Sequence, residues 1–231
     1  MKKGKRYNGM AAQVDSEKLY PIEDAVGLIK DNSKVKFDET VECAIRLGID
    51  PKKSDQMVRN TVSLPNGTGQ TIRVLVLTKG DKEQEAKDAG ADYVGAADMI
   101  EKIQGGWFDF DALIATPDMM KDIGKLGKVL GPKGLMPNPK SGTVTNDVGK
   151  MVKSLKAGRV EYRNDKMGNV HVTVGKISFE NNALVENFRT IISSLLQSRP
   201  SAVKGTFVKN ISLSSTMGVG IKIDGQSVGV K

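Results

Sequence analysis

Few residues of this chain have the types and spacing that enzyme chemistry requires. His171 is the only histidine and Cys43 the only cysteine in 231 residues, so a metal site built from several such ligands is not expected. His171 alternates with valines, which predicts a strand position more readily than an acid, base or ligand. Cys43 lies in a similar pattern and is interpreted as an inert core or sheet residue of a protein from a reducing compartment.

The glycine-lysine pairs lack the residue that a phosphate-binding loop needs. Every such pair is followed by a residue other than Ser or Thr, so the P-loop pattern does not occur. After the apolar run 72–78 the chain reads KGDKEQ, where a dinucleotide-binding fold has G-x-G-x-x-G. The sequence therefore predicts no catalytic residue, metal or cofactor. A cytoplasmic enzyme that uses a nucleotide bound to the central α/β segment is the alternative.

The stretch 123–146 combines conformationally special residues with positive charge. It contains five Gly, three Pro and four Lys and no acidic residue. Proline fixes backbone angles and removes amide donors, so regular helix or strand is not expected in the middle of the stretch. This stiff cationic loop either presents Lys133 and Lys140 to a polyanion or serves as a solvated connector.

The charge distribution favours a polyanionic partner for the two ends of the chain. Residues 68–158 contain 13 basic and 12 acidic residues, whereas the flanking segments together contain 22 and 15. Basic surfaces bind nucleic acid by neutralising phosphates and releasing counterions. The sequence has no apolar run of bilayer length and no signal-peptide pattern, which predicts a cytoplasmic protein without a membrane partner. The basic start KKGKR is expected to be a flexible arm or a solvated tail.

Hydrophobic periodicity predicts two kinds of architecture. Within 68–158, short apolar runs alternate with helical patterns, which is typical of a Rossmann-like α/β domain with a parallel sheet. This part includes predicted helices from about 117 to 129 and from about 147 to 156. Residues 1–67 and 159–231 show an α+β pattern, so the simplest fold is a discontinuous α+β domain with the α/β domain inserted.

The elements of the discontinuous domain are predicted from their apolar periods. Residues alternate as in half-buried strands over four segments, which are 41–47, 159–164, 169–175 and 207–214. Two amphipathic helices, near 22–30 and 182–197, are expected to cover the sheet. The crossings at 63–70 and 156–159 contain glycines and are interpreted as hinges or as ordinary loops.

Several motifs resemble those of the bacterial large-subunit ribosomal protein L-one family. They are the stretch 123–146, FDETVE at 37–42, and the segments 47–67, 90–95, 106–120, 163–168, 204–210 and 215–218. The resemblance implies a non-enzymatic protein that binds large-subunit ribosomal RNA at the mobile stalk beside the E site. It also implies a role in E-site tRNA movement and release, repression of its own operon by binding messenger RNA, and a monomeric state outside the ribosome.

The resemblance further implies that three segments of the discontinuous domain line the RNA site, and we expect them to converge. The residues are Lys36, Phe37, Thr40, Glu42, Asp165, Lys166, Met167, Gly168, Thr216, Met217 and Gly218. Lysines offset phosphate charge, hydroxyls bond 2′-hydroxyls or phosphates, and Gly218 is expected to let RNA approach the backbone. Taken alone, each residue also has an ordinary role in a core or turn. Lys133 and Lys140 are expected as secondary RNA contacts.

Overall fold

The computed structural model of the protein describes residues 4–80 and 82–229. The helices are α1 (Lys5–Ala11), α2 (Ile22–Asn32), α3 (Lys82–Asp88), α4 (Ala97–Gln104), α5 (Met120–Gly124), α6 (Gly127–Leu130), α7 (Val148–Lys156) and α8 (Asn181–Gln197). The strands are β1 (Thr40–Leu47), β2 (Arg59–Ser63), β3 (Val74–Leu77), β4 (Tyr93–Gly95), β5 (Ala112–Ala115), β6 (Arg159–Arg163), β7 (Asn169–Lys176), β8 (Val208–Ser215) and β9 (Ile221–Ile223). The predicted basic arm lies partly outside the described residues, and its last two residues begin α1.

The chain divides into two compact units. The terminal unit consists of residues 1–69 and 160–231, and the central unit of residues 70–159. The mixed α/β architecture expected from the sequence is present, with a separate apolar core for the terminal unit. Independent folding of each unit stays a prediction.

A four-stranded antiparallel sheet organises the terminal unit. Its strand order is β7-β1-β8-β9, and α2 and α8 cover one face with apolar side chains. Alternate residues of β1 are buried, and they include Cys43, whose thiol pKa is raised by burial. Cys43 is therefore a core residue, as predicted. The strand predicted at 159–164 forms a separate two-stranded ribbon with β2 and does not join this sheet.

The central unit is built on a three-stranded parallel sheet in the order β4-β3-β5. The side chains of β3 alternate between two apolar clusters. Leu75 and Leu77 pack with α4, α5 and α6, whereas Val74 and Val76 pack with α3 and α7. Helices therefore cover both faces of the sheet, which is the expected α/β arrangement.

The glycine- and proline-rich stretch has more structure at its ends than in its middle. The single helix predicted at 117–129 is wrong, because a 3-10 turn at Pro117–Met119 precedes α5, and α5 and α6 are separate helices. Residues 131 to 138 form neither helix nor strand, and Gly134 adopts a φ of 72° that other residues rarely adopt. A second 3-10 turn follows at Pro139–Ser141, where the Asn138 side chain accepts the Lys140 N–H.

Candidate nucleic-acid interface

Two of the three predicted segments meet at one end of the sheet, which we call the Thr40 end. Because β8 runs antiparallel to β1, Thr216 lies beside Thr40. The Thr216 N–H donates to the Thr40 carbonyl at 3.0 Å, and the Thr40 N–H donates to the Thr216 hydroxyl at 3.0 Å. Phe37 and Met217 are 54% and 47% exposed, and Lys36 is exposed. The Thr40 end therefore presents apolar and cationic side chains to solvent.

The Thr216 hydroxyl and Gly218 both have roles within the chain. The hydroxyl accepts from the Thr40 N–H and also donates to the Thr40 carbonyl at 3.3 Å, so it joins β1 to the turn after β8. A Cβ on Gly218 would lie 2.4 Å from Ser215 Oγ. Glycine at this position therefore also avoids a close contact with the neighbouring serine, and the interpretation of Gly218 as a site of close RNA approach stays a prediction.

Lys176 at the end of β7 adds a positive charge that the sequence analysis missed. Its register partner in β1 is Thr40, and its Nζ donates to the Thr40 hydroxyl at 2.8 Å. The lysine follows an alternating strand, but only the pairing of β7 with β1 shows which end of the sheet it reaches. The Thr40 hydroxyl is thus held by an ammonium group.

The third predicted segment lies at the opposite end of the sheet, so the expected convergence is wrong. The register of β7 on β1 pairs Asn169 with Arg46, and the Leu47 N–H donates to the Gly168 carbonyl at 2.8 Å. This end, which we call the Asp165 end, is about 20 Å from Thr40 at the usual rise of a strand. The turn formed by residues 165–168 directly precedes β7. Because β7 is antiparallel to β1, β7 begins beside the end of β1, so the turn lies there and not beside Thr40.

The turn at the Asp165 end is shaped by two of the predicted residues and exposes the other two. The Asp165 carboxylate accepts the N–H groups of Asn169 and Met167, each at 2.8 Å. The hydrogen bond from the Asn169 N–H is the largest cause that holds the pKa of Asp165 below its usual range. Gly168 is buried with a φ of 78°. Lys166 and Met167, the latter 65% exposed, therefore face solvent.

A face of the sheet that is polar except at Ala44 connects the two ends. Every second residue of β1 points away from the buried side. From Glu42 to Arg46, each of these residues has one polar register partner in β7 and another in β8, on the same face of the sheet. This polar face consists of Glu42, Ala44, Arg46, Asn169, His171, Thr173, Asn210, Ser212 and Ser214. His171 is exposed there, with its Nε2 3.9 Å from Asp165 Oδ2. Apart from Glu42, which lies within the face, the predicted residues of the terminal unit thus form the ends of an elongated surface.

Most residues of the polar face were not predicted as RNA-binding from the sequence, because the alternation of a strand identifies its solvent-facing side but does not show that this side has a function. The alternation showed which side of each strand is polar, and β1 and β7 were both predicted. Their neighbours and register, however, are set by tertiary packing. Glu42 was the only residue of the face that the sequence analysis assigned to RNA binding, and it is exposed.

The two lysines predicted in the central unit differ in their surroundings. The Lys133 Nζ lies 4.4 Å from the centroid of the Phe108 ring, a cation–π geometry that directs the side chain along its own unit. Lys140 is exposed on the 3-10 turn. A secondary RNA contact at these residues stays a prediction.

Neither a metal-binding cluster nor a bilayer-spanning helix is found among the described residues. Within residues 4–80 and 82–229, no three or more His, Cys, Asp or Glu side chains are grouped so that they could hold a metal ion. No helix in the same ranges has both the length and the apolar character needed to cross a bilayer.

The polar sheet face on a basic unit is suited to binding a polyanion, which is the behaviour of a nucleic-acid-binding protein. Comparison with known families specifies the class further. Residues 29–219 match the model of the Ribosomal protein L1p/L10e family, which covers more than four-fifths of the chain. The chain belongs to this family, so the resemblance found in the sequence is confirmed. The family consists of RNA-binding structural proteins of the large ribosomal subunit and is not enzymatic.

Proposed function

We propose that the terminal unit binds large-subunit ribosomal RNA at the mobile stalk beside the E site, through the polar face and its two ends. The observation that carries this proposal is the continuity of the surface. Exposed Phe37 and Met217 lie at one end, exposed Lys166 and Met167 lie at the other, and the polar face, with Ala44 at its centre, lies between them. The family's ribosomal RNA binding supports the nature of the ligand.

The side chains of this surface suit the backbone and the 2′-hydroxyls of a folded RNA. Ser212, Ser214 and Thr173 carry hydroxyl groups that both donate and accept hydrogen bonds, as a 2′-hydroxyl does. Arg46 and the lysines at each end supply positive charge for phosphates. Aromatic residues make up only 5% of the chain, so recognition rests on RNA shape and not on a ladder of stacked bases.

The further roles follow from the family resemblance, and the first of them uses the same surface. Messenger RNA of the protein's own operon would occupy the polar face where it folds like the ribosomal site, and translation would be repressed by competition between the two RNAs. The central unit would assist E-site tRNA movement and release, with Lys133 and Lys140 as contacts. In this proposal the protein is cytoplasmic and ribosome-bound, monomeric outside the ribosome, and has no membrane partner.

Binding to RNA fragments tests the proposed ligand directly. The full chain should bind a stalk fragment at least about thirtyfold more tightly than an unrelated RNA duplex of equal length at moderate salt. The logarithm of the affinity should fall with the logarithm of the salt concentration, with a slope between roughly −2 and −5 for a handful of phosphate contacts. Equal affinity for both RNAs would contradict the proposal.

Replacement of Thr216 should affect both RNA binding and stability. Thr216→Val leaves the Thr40 N–H without its acceptor, so the free energy of unfolding should fall by about 1 kcal/mol. RNA affinity should fall about five- to tenfold, because Thr216 is exposed at the proposed site and its hydroxyl oxygen can accept a further hydrogen bond from RNA. Thr216→Ser retains the hydroxyl and is the matched control. Thermal unfolding measures the loss of stability, and RNA titration measures the loss of affinity. Unchanged affinity for Thr216→Val would show that the hydroxyl has only a structural role.

A further inference from the structure

Glu39 is a buried acidic residue at the Thr40 end that the sequence analysis did not single out. Its residue surface is only 2% exposed. The carboxylate accepts the Ser33 hydroxyl at 2.6 Å on Oε2 and the Met217 N–H at 2.8 Å on Oε1. Among the described residues, no Lys, Arg or His nitrogen lies within salt-bridge distance of this carboxylate. Two neutral donors therefore hold it.

The hydrogen bonds of Glu39 connect three separate parts of the terminal unit. Ser33 follows α2 directly, and the segment from Ser33 to Glu39 carries Lys36 and Phe37. Met217 belongs to the turn between β8 and β9. The Glu39 backbone carbonyl also accepts the Ile177 N–H at 2.9 Å, which fixes the residue beside β7. One side chain thus joins the segment that carries Phe37 to the turn that carries Met217.

We infer that Glu39 is a positioning residue for RNA binding, which holds the 216–218 turn and the 33–39 segment in the geometry that RNA contacts. This inference rests on the proposed function, because it acts through the exposed Phe37 and Met217. The Glu39 side-chain oxygen accepts the Met217 N–H at 2.8 Å, which ties the backbone of the turn to the 33–39 segment. A turn that is already ordered does not lose conformational entropy when RNA binds, and affinity increases accordingly.

Three substitutions separate positioning from simple stability. Glu39→Ala removes both hydrogen bonds and should weaken binding of the stalk RNA fragment about tenfold. In Glu39→Gln, the amide oxygen can accept the Met217 N–H while its NH₂ group donates to Ser33, so affinity should stay within about threefold of the original chain. Asn187→Ala is the matched control, because Asn187 is also fully buried and hydrogen-bonded, but to Asn66, Gly67 and Val174.

The control should lose stability without losing RNA affinity. Asn187→Ala leaves buried backbone groups without partners, so its melting temperature should fall, while the folded protein should bind RNA within about twofold of the original chain. All affinities are measured well below the melting temperature of each variant. If Glu39→Ala behaved like Asn187→Ala, with lower stability and unchanged affinity, the inference would be overturned.

A double-mutant cycle tests whether Glu39 acts through Met217. The double variant Glu39→Ala/Met217→Ala should lose much less affinity than the product of the two single fold losses, because residues in one network are coupled. The losses of Glu39→Ala and Met167→Ala should multiply, because Met167 lies at the Asp165 end. Multiplicative losses in both cycles would contradict the inference.

Other outcomes distinguish this inference from the proposed function. Loss of affinity in Met217→Ala but not in Glu39→Ala would overturn the inference alone. Unchanged affinity in Met217→Ala, Phe37→Ala and Met167→Ala would overturn the proposed site as well. If Glu39→Ala fails to fold, Ser33→Ala removes only one donor and should weaken binding about threefold. Unchanged affinity in that variant would count against positioning.

Discussion

The terminal unit alone should keep most of the RNA affinity of the full chain. A protein in which residue 69 is joined to residue 160 by a short glycine linker should bind the stalk RNA fragment within about threefold of the full chain, because every residue of the proposed surface lies in this unit. The isolated central unit, residues 70–159, should bind at least about a hundredfold more weakly, since its basic and acidic residues nearly balance.

Hydrogen bonds within each unit support the choice of residues 69 and 160 as the two positions that the linker joins. Asn187 donates to the Gly67 carbonyl at 3.0 Å and accepts the Asn66 N–H at 3.1 Å, so the chain just before residue 69 is attached to α8. Arg159 donates to the Ser141 carbonyl at 3.0 Å within the central unit. The measurement is titration of each purified unit with RNA, after circular dichroism has shown that the unit is folded. Comparable affinity of the central unit would assign the main site to that unit.

The sequence predicted elements whose period is long and regular. β1 and β8 each extend over eight residues, and their apolar residues alternate clearly enough to identify the buried side. The central parallel sheet was predicted because its strands are apolar runs separated by helical patterns. By contrast, β9 has three residues and β2 has a burial pattern without clear alternation, so neither carried a usable signal.

The candidate site was only partly predictable, for reasons that concern strand direction and burial. The turn residues Asp165 to Gly168 were expected beside Thr216, but the antiparallel pairing of β7 places them at the opposite end. Composition does not determine strand order or register. Glu39 was missed because acidic residues are usually exposed, and its burial depends on donors from Ser33 and Met217, far apart in the sequence.

Reversal of charge at both ends of the polar face should have the largest effect of any pair of surface substitutions. Lys36→Glu and Lys166→Glu should each weaken binding of the stalk RNA fragment about tenfold at moderate salt, and together about a hundredfold, because well-separated sites contribute independently. Each substitution should also reduce the magnitude of the salt slope by about one. Lys18→Glu is the matched control, since Lys18 is exposed, lies over the Tyr20 ring and is outside the polar face.

The same variants distinguish an elongated surface from a single compact site. An RNA shortened so that it reaches only one end of the polar face should remain sensitive to one lysine and become insensitive to the other, because the ends are about 20 Å apart. A compact site would leave the short RNA sensitive to both lysines. An effect of Lys18→Glu as large as that of the other two would show that binding responds to net charge alone, and the proposed face would then lose its support.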